Sequence, residues 1–213
     1  MTKKITALHL QLFKKAMIKI AITGNIASGK SFVCKALSRH LASPVFNADE
    51  QVAQILTNPI VLQKLSRALG VEFLNLNLAS VKNIIRTQIF NDRQKKAILE
   101  SIIYHHLRLA RKIWSCKNAK NNQYLIYEVP LLFEKRLASQ YNIAIAVDGS
   151  SFFKQAIAKR CLDAEVATKF AKSQMPIVLK NKMADCVFKN NLNPFVFKKS
   201  LLKLADKIML NSI

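Results

Sequence analysis

Short hydrophobic runs alternate with longer amphipathic stretches along most of this chain. The run at residues 18–22 has the length of a buried strand, and residues 32–41 repeat apolar side chains at helical spacing until Pro44 ends the pattern. Four further apolar runs predict strands at residues 45–46, 124–129, 142–147 and 186–188. This alternation predicts an α/β fold in which a parallel sheet has helices on both faces.

One helical region is too long to be a simple connection between parallel strands. Residues 49–118 are mostly helical in pattern, with breaks near Asn58-Pro59 and between Gly70 and Asn77. We therefore expect a helical insertion within the α/β core. Basic helices are expected at residues 151–184, and a terminal helix is expected after Pro194.

The composition excludes several classes of protein. Hydrophobic residues form 51% of the 213-residue chain, which argues against intrinsic disorder. No apolar run approaches the roughly 18–20 residues that span a bilayer, so we expect neither a membrane-spanning protein nor a membrane partner. Cys34, Cys116, Cys161 and Cys186 lie too far apart for a patterned zinc site or disulfide framework. We expect buried or half-buried free thiols and a cytoplasmic location.

The formal net charge of +22 admits three explanations. Lys and Arg could neutralise the phosphates of a nucleic acid, or they could attract small polyanions such as nucleotides. The charge could instead reflect a solvated surface with a lysine bias. The basic residues are spread along the whole chain, and there is no helix-turn-helix, zinc-finger or RNP pattern. This distribution favours the biased surface over a specific nucleic-acid site.

The clearest chemical signal is a phosphate-binding loop at residues 24–31. These residues satisfy every fixed position of G-x-x-x-x-G-K-[ST], between a predicted strand and a predicted helix. Such a loop turns backbone N–H groups toward phosphate, and the following helix adds its positive N-terminus. Lys30 is expected to reach the β- and γ-phosphates, and the Ser31 hydroxyl is expected to ligate Mg²⁺. The expected ATP-binding residues of this segment are Gly24, Asn25, Ile26, Ala27, Ser28, Gly29, Lys30, Ser31 and Phe32.

The loop alone fits GTPases, ATPases and small-molecule kinases. A GTPase of the Ras type should carry N-K-x-D after a late strand. Here the strand ending at Val147 is followed by Asp148-Gly149-Ser150-Ser151, which disfavours that class.

Five segments follow one another across about residues 18–191: residues 20–31; Asn47-Ala48-Asp49; residues 84–90 with the run 99–105; Val129-Pro130-Leu131-Leu132-Phe133-Glu134; and Ser173-Gln174-Met175-Pro176 followed by Ala184-Asp185 and Asn190. In this order they resemble the motifs of the dephospho-CoA kinase family, which has D-A-D where this chain has Asn47-Ala48-Asp49. The resemblance implies a P-loop NTPase fold and an enzyme that uses ATP and Mg²⁺ to phosphorylate the ribose 3′-hydroxyl of dephospho-CoA.

The resemblance also implies a division of the chain. Residues 17–48, 120–150 and 185–213 would form the nucleotide-binding core, residues 49–119 a helical acceptor-binding insertion, and residues 151–184 a helical lid. Residues 1–16 would be an N-terminal extension. Their pattern fits a short basic surface helix, or an extension from an early start codon, better than an organelle-targeting peptide.

Two carboxylates and one histidine are candidates for chemical roles. Asp49 follows a predicted strand at the carboxyl edge of the sheet, where it could take a proton from an attacking hydroxyl or cap the next helix. The resemblance implies that Asp49 is the catalytic base. Glu128 ends an apolar strand and either handles Mg²⁺, as in Walker-B strands, or pairs with a nearby lysine. His105 either contacts the substrate or packs in a core, and His106 stands where the family has proline.

The remaining candidates are mainly cationic. Arg86, Arg108 and Arg111 either pair with the diphosphate of the acceptor or form a solvated helix face. The resemblance implies a catalytic Arg160 in the lid and an ATP contact from Asn190. It also implies acceptor contacts, to which Pro130 and Leu131 would contribute alongside Asp49, Arg86, His105 and Arg108.

The predicted lid departs from the family at two positions. Ala156 and Phe170 stand where arginines are expected, although several lysines keep the segment cationic. Lysine lacks the planar fork of arginine, so this lid is expected to stabilise the transition state less well.

Two other functions stay open at this point. A kinase for a nucleoside or mononucleotide is disfavoured by the size of the insertion and by residues 129–134. A basic nucleic-acid-binding protein with a vestigial nucleotide site is disfavoured by the missing nucleic-acid motifs. We expect a monomer, or at most a weak homo-oligomer, acting on a small molecule.

Overall fold

The computed structural model describes residues 17–89, 91–152, 174–190 and 193–210. The described chain divides into two compact units: one contains the residues up to Val45 and from Asn118 onward, and the other contains residues 46–117. The strands of the sheet are β1 (Ile18–Thr23), β2 (Val45–Asn47), β3 (Tyr124–Glu128), β4 (Ile143–Asp148) and β5 (Cys186–Lys189). They follow the order β2-β3-β1-β4-β5.

The sheet is parallel and has helices on both faces, as the alternating pattern predicted. Residues 20–23 of β1 are fully buried, which explains why Ile20, Ala21 and Ile22 are apolar in succession and do not alternate with polar residues. Helices α1 (Lys30–Leu41) and α7 (Pro194–Met209) supply apolar side chains to the core beside the strands. Most predicted strands are shifted by only a residue at an end.

The register of the strands brings their carboxyl ends to one edge of the sheet. Ile22 of β1 is level with Glu128 of β3, and Thr23 is level with Ala146 of β4. The phosphate-binding loop therefore leaves β1 beside the end of β3. In open α/β sheets, ligands bind at this edge.

The second unit is helical. It contains α2 (Ala48–Ile55), α3 (Pro59–Leu69), α4 (Leu78–Ile84), a π-helical turn (Ile85–Ile89) and most of α5 (Arg93–Ala119). Both predicted breaks are confirmed and have local causes. Asn58 caps α3 with Pro59 in its first turn, while a left-handed Gly70 ends it and Asn77 caps α4. The unit has its own apolar core, which includes Leu65, Phe73, Val81 and Ile89.

Part of the predicted lid lies outside the described residues, including Ala156, Arg160 and Phe170. Its described ends are a 3₁₀ turn (Ser150–Phe152) and helix α6 (Ile177–Met183). Among the described cysteines, Cys34 is buried and Cys186 is half-buried, but Cys116 is exposed, so the expectation of a sheltered thiol is wrong there. None of the described helices combines the length and apolarity needed to cross a bilayer.

Candidate active site

The phosphate-binding loop depends on two glycines whose neighbours leave no room for a side chain. Gly24 has φ of 148°, and a Cβ at that position would overlap the Val147 carbonyl oxygen and crowd Ser28 Oγ. Gly29 has φ of 85° as the residue before α1, and a Cβ there would overlap the Asn190 side-chain nitrogen. The glycines therefore satisfy both a backbone requirement and a packing requirement.

Ala27 occupies the remaining unusual backbone position of the loop. Its φ is 60°, in the left-handed region that glycine adopts with less strain, and its side chain is buried. The loop thus holds an alanine in a backbone conformation that favours glycine. This strain, of about 1–2 kcal/mol, must be balanced by the contacts around the loop.

Asn190 supports the loop from the end of β5. Its side-chain Nδ2 donates to the Ser28 carbonyl at 2.9 Å, and its backbone N–H donates to the Asp148 carbonyl at 2.8 Å. Asn190 is buried. The residue expected to touch ATP therefore holds the backbone of the loop at residues 24–31.

Lys30, Ser31 and Glu128 form the polar floor of the site. The Lys30 ammonium donates to the Asn25 carbonyl at 2.8 Å, and the Ser31 hydroxyl donates to Glu128 Oε1 at 2.8 Å. Glu128 is only 4% exposed.

Burial, and secondarily the Glu128 carboxylate, raise the pKa of the neighbouring Cys34 thiol far above its usual range. Cys34 is therefore a packing residue here and not a nucleophile. Phe32, next along α1, is 62% exposed and contacts the ring of Phe197.

The turn after β3 is bonded both to Thr23 at the end of β1 and to a buried lysine of α6. The Pro130 carbonyl accepts hydrogen bonds from Thr23 Oγ1 at 3.1 Å and from Lys180 Nζ at 2.9 Å. Lys180 Nζ also lies 2.9 Å from Glu134 Oε1. Pro130 and Leu131, the expected acceptor contacts, are half-buried in this turn.

Sequence reasoning missed Lys180. Helix α6 buries this lysine completely, whereas Val178, Leu179 and Met183 on the same helix are exposed, which reverses the usual amphipathic pattern. One signal was available. Glu134 is an acidic residue at the end of an apolar run, and a buried carboxylate requires a cationic or hydrogen-bonding partner.

Asp148 joins the end of β4 to α6. Asn181 Nδ2 donates to its carboxylate at 2.8 Å, and the Ser150 N–H donates at 3.0 Å. Burial raises the pKa of Asp148, but hydrogen bonds from Ser150 and Asn181, together with the Lys189 charge, outweigh it and leave the pKa below its usual value.

Asp49 lies in the first turn of α2, two residues after β2 ends at Asn47. The structure assigns the cap of this helix to Asn47, whose side chain accepts from the backbone N–H of Asp49 at 3.0 Å and of Glu50 at 3.3 Å. The alternative that Asp49 caps the helix is therefore wrong. Its carboxylate is exposed and is left out of the cap.

Three of the other candidates of the helical unit are exposed, and Arg111 on α5 is half-buried. Arg86 lies in the π-helical turn, and His105 and Arg108 lie on α5. The alternative of a core histidine is wrong for His105. Its ring meets His106 edge-on at 5.4 Å, and burial, followed by the nearby His105 and Lys64 charges, lowers the pKa of His106.

Comparisons with known proteins point to one family. The family model described as dephospho-CoA kinase matches residues 18–194. A dephospho-CoA kinase of Fusobacterium nucleatum is 30% identical over 183 residues, which cover 84% of this chain and 93% of that protein. The crystal structure of TT1252 from Thermus thermophilus matches with a TM-score of 0.73 and 25% identity, covering 93% of this chain and 99% of that chain. A dephospho-CoA kinase from Campylobacter jejuni has a similar fold, with a TM-score of 0.62, 24% identity, and coverage of 92% and 98%.

Proposed function

Because the chain belongs to the dephospho-CoA kinase family, we propose that it transfers the γ-phosphoryl group of ATP to the ribose 3′-hydroxyl of dephospho-CoA. The observation that carries this proposal is that hydrogen bonds join the phosphate-binding loop and the strand before it to the end of β3. Ser31 of the loop donates to Glu128, and Thr23 of β1 donates to the carbonyl of Pro130, where the turn after β3 begins. Nucleotide-binding and family-specific segments are thus joined within one compact unit.

The loop would bind the phosphates of ATP through its backbone amides and the N-terminus of α1. Lys30 is the first residue of α1, and its ammonium donates a hydrogen bond to the Asn25 carbonyl. In our proposal its ammonium exchanges that contact for the β- and γ-phosphate oxygens, where it offsets the negative charge that builds up as the bond to the leaving group breaks.

The donor set beside the loop fits Mg²⁺. Ser31 Oγ and the Glu128 carboxylate present oxygen atoms 2.8 Å apart, and oxygen is the ligand that this cation prefers. No group of three His, Cys, Asp or Glu side chains comes together in the described parts of the chain. Because Mg²⁺ in proteins usually keeps several waters and binds through one or two carboxylates together with substrate phosphates, we expect Ser31 and Glu128 to hold the cation jointly with phosphate oxygens and water, and the bound cation would neutralise phosphate charge.

Asp49 is our proposed general base. The 3′-oxygen of the acceptor attacks the γ-phosphorus, the bond from that phosphorus to the bridging oxygen breaks, ADP departs with the electron pair, and the hydroxyl proton passes to the Asp49 carboxylate. An exposed carboxylate that is not engaged in the helix cap is available for this step. Arg86 and Arg108, both exposed, are proposed to pair with the acceptor diphosphate.

A coupled ATP assay with dephospho-CoA beside a panel of nucleosides and mononucleotides tests the proposal. We expect Mg²⁺-dependent formation of CoA, its abolition by Lys30→Ala, and a fall of roughly 10²- to 10⁴-fold in kcat for Asp49→Asn. Lys35→Ala is the matched control because this lysine is exposed on the same helix as Lys30.

Turnover of a nucleoside without turnover of dephospho-CoA would overturn the assigned acceptor. Tight, steeply salt-dependent binding of RNA or DNA without any phosphoryl transfer would overturn the assignment as an enzyme.

A further inference from the structure

We infer that Lys180 is a positioning residue of the phosphotransfer site, acting through Glu134 on the segment that contacts the phosphate-binding loop. This inference rests on the proposed function. The side chain of Lys180 is 0% exposed, and that of Glu134 is 17% exposed. A lysine in the interior is tolerated only when its charge is paired and its protons are hydrogen-bonded.

The ion pair lies where three segments of the chain meet, namely α6, the turn after β3 and the end of β1. Lys180 Nζ donates to the Pro130 carbonyl at 2.9 Å, and the same carbonyl accepts from Thr23 Oγ1 at 3.1 Å. Thr23 is the last residue of β1 before the loop. Lys180 therefore ties α6 to the turn after β3, and Thr23 ties the same turn to the end of β1, just before the phosphate-binding loop.

The second acceptor of the Lys180 ammonium is the carboxylate of Glu134. Glu134 Oε1 accepts from Lys180 Nζ at 2.9 Å and from the Met175 backbone N–H at 3.0 Å. The ammonium thus holds the carboxylate where it can bind the backbone just before α6. The next residue back, Gln174, places its side-chain Oε1 on the Ile26 N–H at 3.0 Å.

The chain of contacts therefore runs from Lys180 through Glu134 and Met175 to Gln174, and ends on an amide of the loop itself. Ile26 is the third residue of that loop. Because the catalytic contribution of such a loop is the placement of its amides, a shift of Gln174 alters the geometry offered to the phosphates.

The composition of the pair argues against a purely stabilising role. Glu134 Oε2 is buried without a hydrogen-bond partner among the described residues, and α6 leaves Val178, Leu179 and Met183 exposed while burying its lysine. An apolar pair of similar volume would avoid the buried, unbonded carboxylate oxygen and the burial of a charged lysine. Proteins in which a buried ion pair is replaced by such a pair are often no less stable. What an apolar pair would not supply is the acceptor for Met175 and the donor for Pro130.

The test compares Lys180→Met, the double variant Lys180→Met/Glu134→Leu, and Gln174→Ala. Lys182→Met is the control, because this lysine is exposed on the same helix. For each protein we measure the thermal midpoint, kcat and KM for ATP with dephospho-CoA, and the Kd of ATP by calorimetry at a temperature well below every midpoint.

We expect Lys180→Met to lower kcat/KM for ATP roughly 10- to 100-fold and to lower the thermal midpoint. The double variant should recover much of the midpoint, because it removes the uncompensated carboxylate, but it should keep the kinetic defect. Gln174→Ala, which leaves the ion pair intact, should lower kcat/KM for ATP several-fold with a nearly unchanged midpoint. Lys182→Met should match the wild type in every measurement.

Recovery of kcat/KM together with the midpoint in the double variant would mean that Lys180 acts on stability alone and would overturn the inference. Wild-type kcat/KM in Gln174→Ala would do the same, and this variant decides the matter if Lys180→Met does not fold. Failure of the proposed function is distinguishable, because the wild type itself would then not turn over dephospho-CoA, while the ATP affinities of the variants would still test the positioning role.

Discussion

Replacing Gly29 by alanine, and comparing the result with the same change at Gly70, separates backbone strain from side-chain overlap. Both glycines adopt left-handed conformations, with φ of 85° and 65°. A Cβ at Gly70 would have no atom within 4 Å, whereas a Cβ at Gly29 would overlap the Asn190 side-chain nitrogen. Both substitutions therefore introduce backbone strain, but only Gly29→Ala also introduces a side-chain overlap.

The shared cost is that of an alanine in the left-handed region, about 1–2 kcal/mol. At Gly29 the new methyl must also displace the Asn190 amide, which donates to the buried Ser28 carbonyl at 2.9 Å. Leaving a buried acceptor without its donor costs about 1–3 kcal/mol. We therefore expect Gly29→Ala to reduce the free energy of unfolding by about 2–5 kcal/mol, and Gly70→Ala by about 1–2 kcal/mol.

The two glycines lie in different compact units, so the stability of each unit must be measured separately. Native-state hydrogen exchange read by mass spectrometry reports the opening free energy of β1 for the first unit and of α3 for the second. Adding Asn190→Ala to Gly29→Ala removes the group that the methyl strikes, so the double variant should lose less than the sum of the single losses. Equal losses for Gly29→Ala and Gly70→Ala, or strict additivity with Asn190→Ala, would refute the reasoning.

Three further predictions concern the helix cap, the acid stability and the thiols. Asn47→Ala should destabilise α2 by about 1 kcal/mol, while Asn47→Asp should retain the cap, as measured by exchange in α2. Asp148→Asn should be less stable than the wild type at neutral pH. Because the folded pKa of Asp148 lies below 3.8, this difference should be complete above about pH 4 and should vanish as the pH falls through the lowered pKa; a difference that persists at lower pH would contradict the assignment. Iodoacetamide should alkylate the exposed Cys116 in the native protein and Cys34 only after unfolding, as read by peptide mass spectrometry.

Features with local causes were predictable from the chain. Residues 20–22 of β1, which are fully buried, form an apolar run. The breaks of the helical unit coincide with Asn58-Pro59, Gly70 and Asn77, whose caps and backbone preferences act within a few residues. The family predicted from the ordered motifs is confirmed as well. For the nucleotide site, the sequence was sufficient to locate the loop because its conformation follows from glycine positions and helix direction.

Roles that depend on long-range partners were not predictable in the same way. Basic helices were expected at residues 151–184, but the structure shows that α6 buries Lys180 completely and exposes Val178, Leu179 and Met183. Asn190 matched a family position, yet its contact with the Ser28 carbonyl is visible only in the fold.

The sequence by itself determined where the strands, the helix ends and the phosphate-binding loop lie, because those features follow from steric limits and hydrogen bonds between near neighbours. The tertiary structure decided which polar groups support that loop. A buried charge is stable only beside a partner that the fold delivers, and Lys180 receives Glu134 and the Pro130 carbonyl from a distant part of the chain.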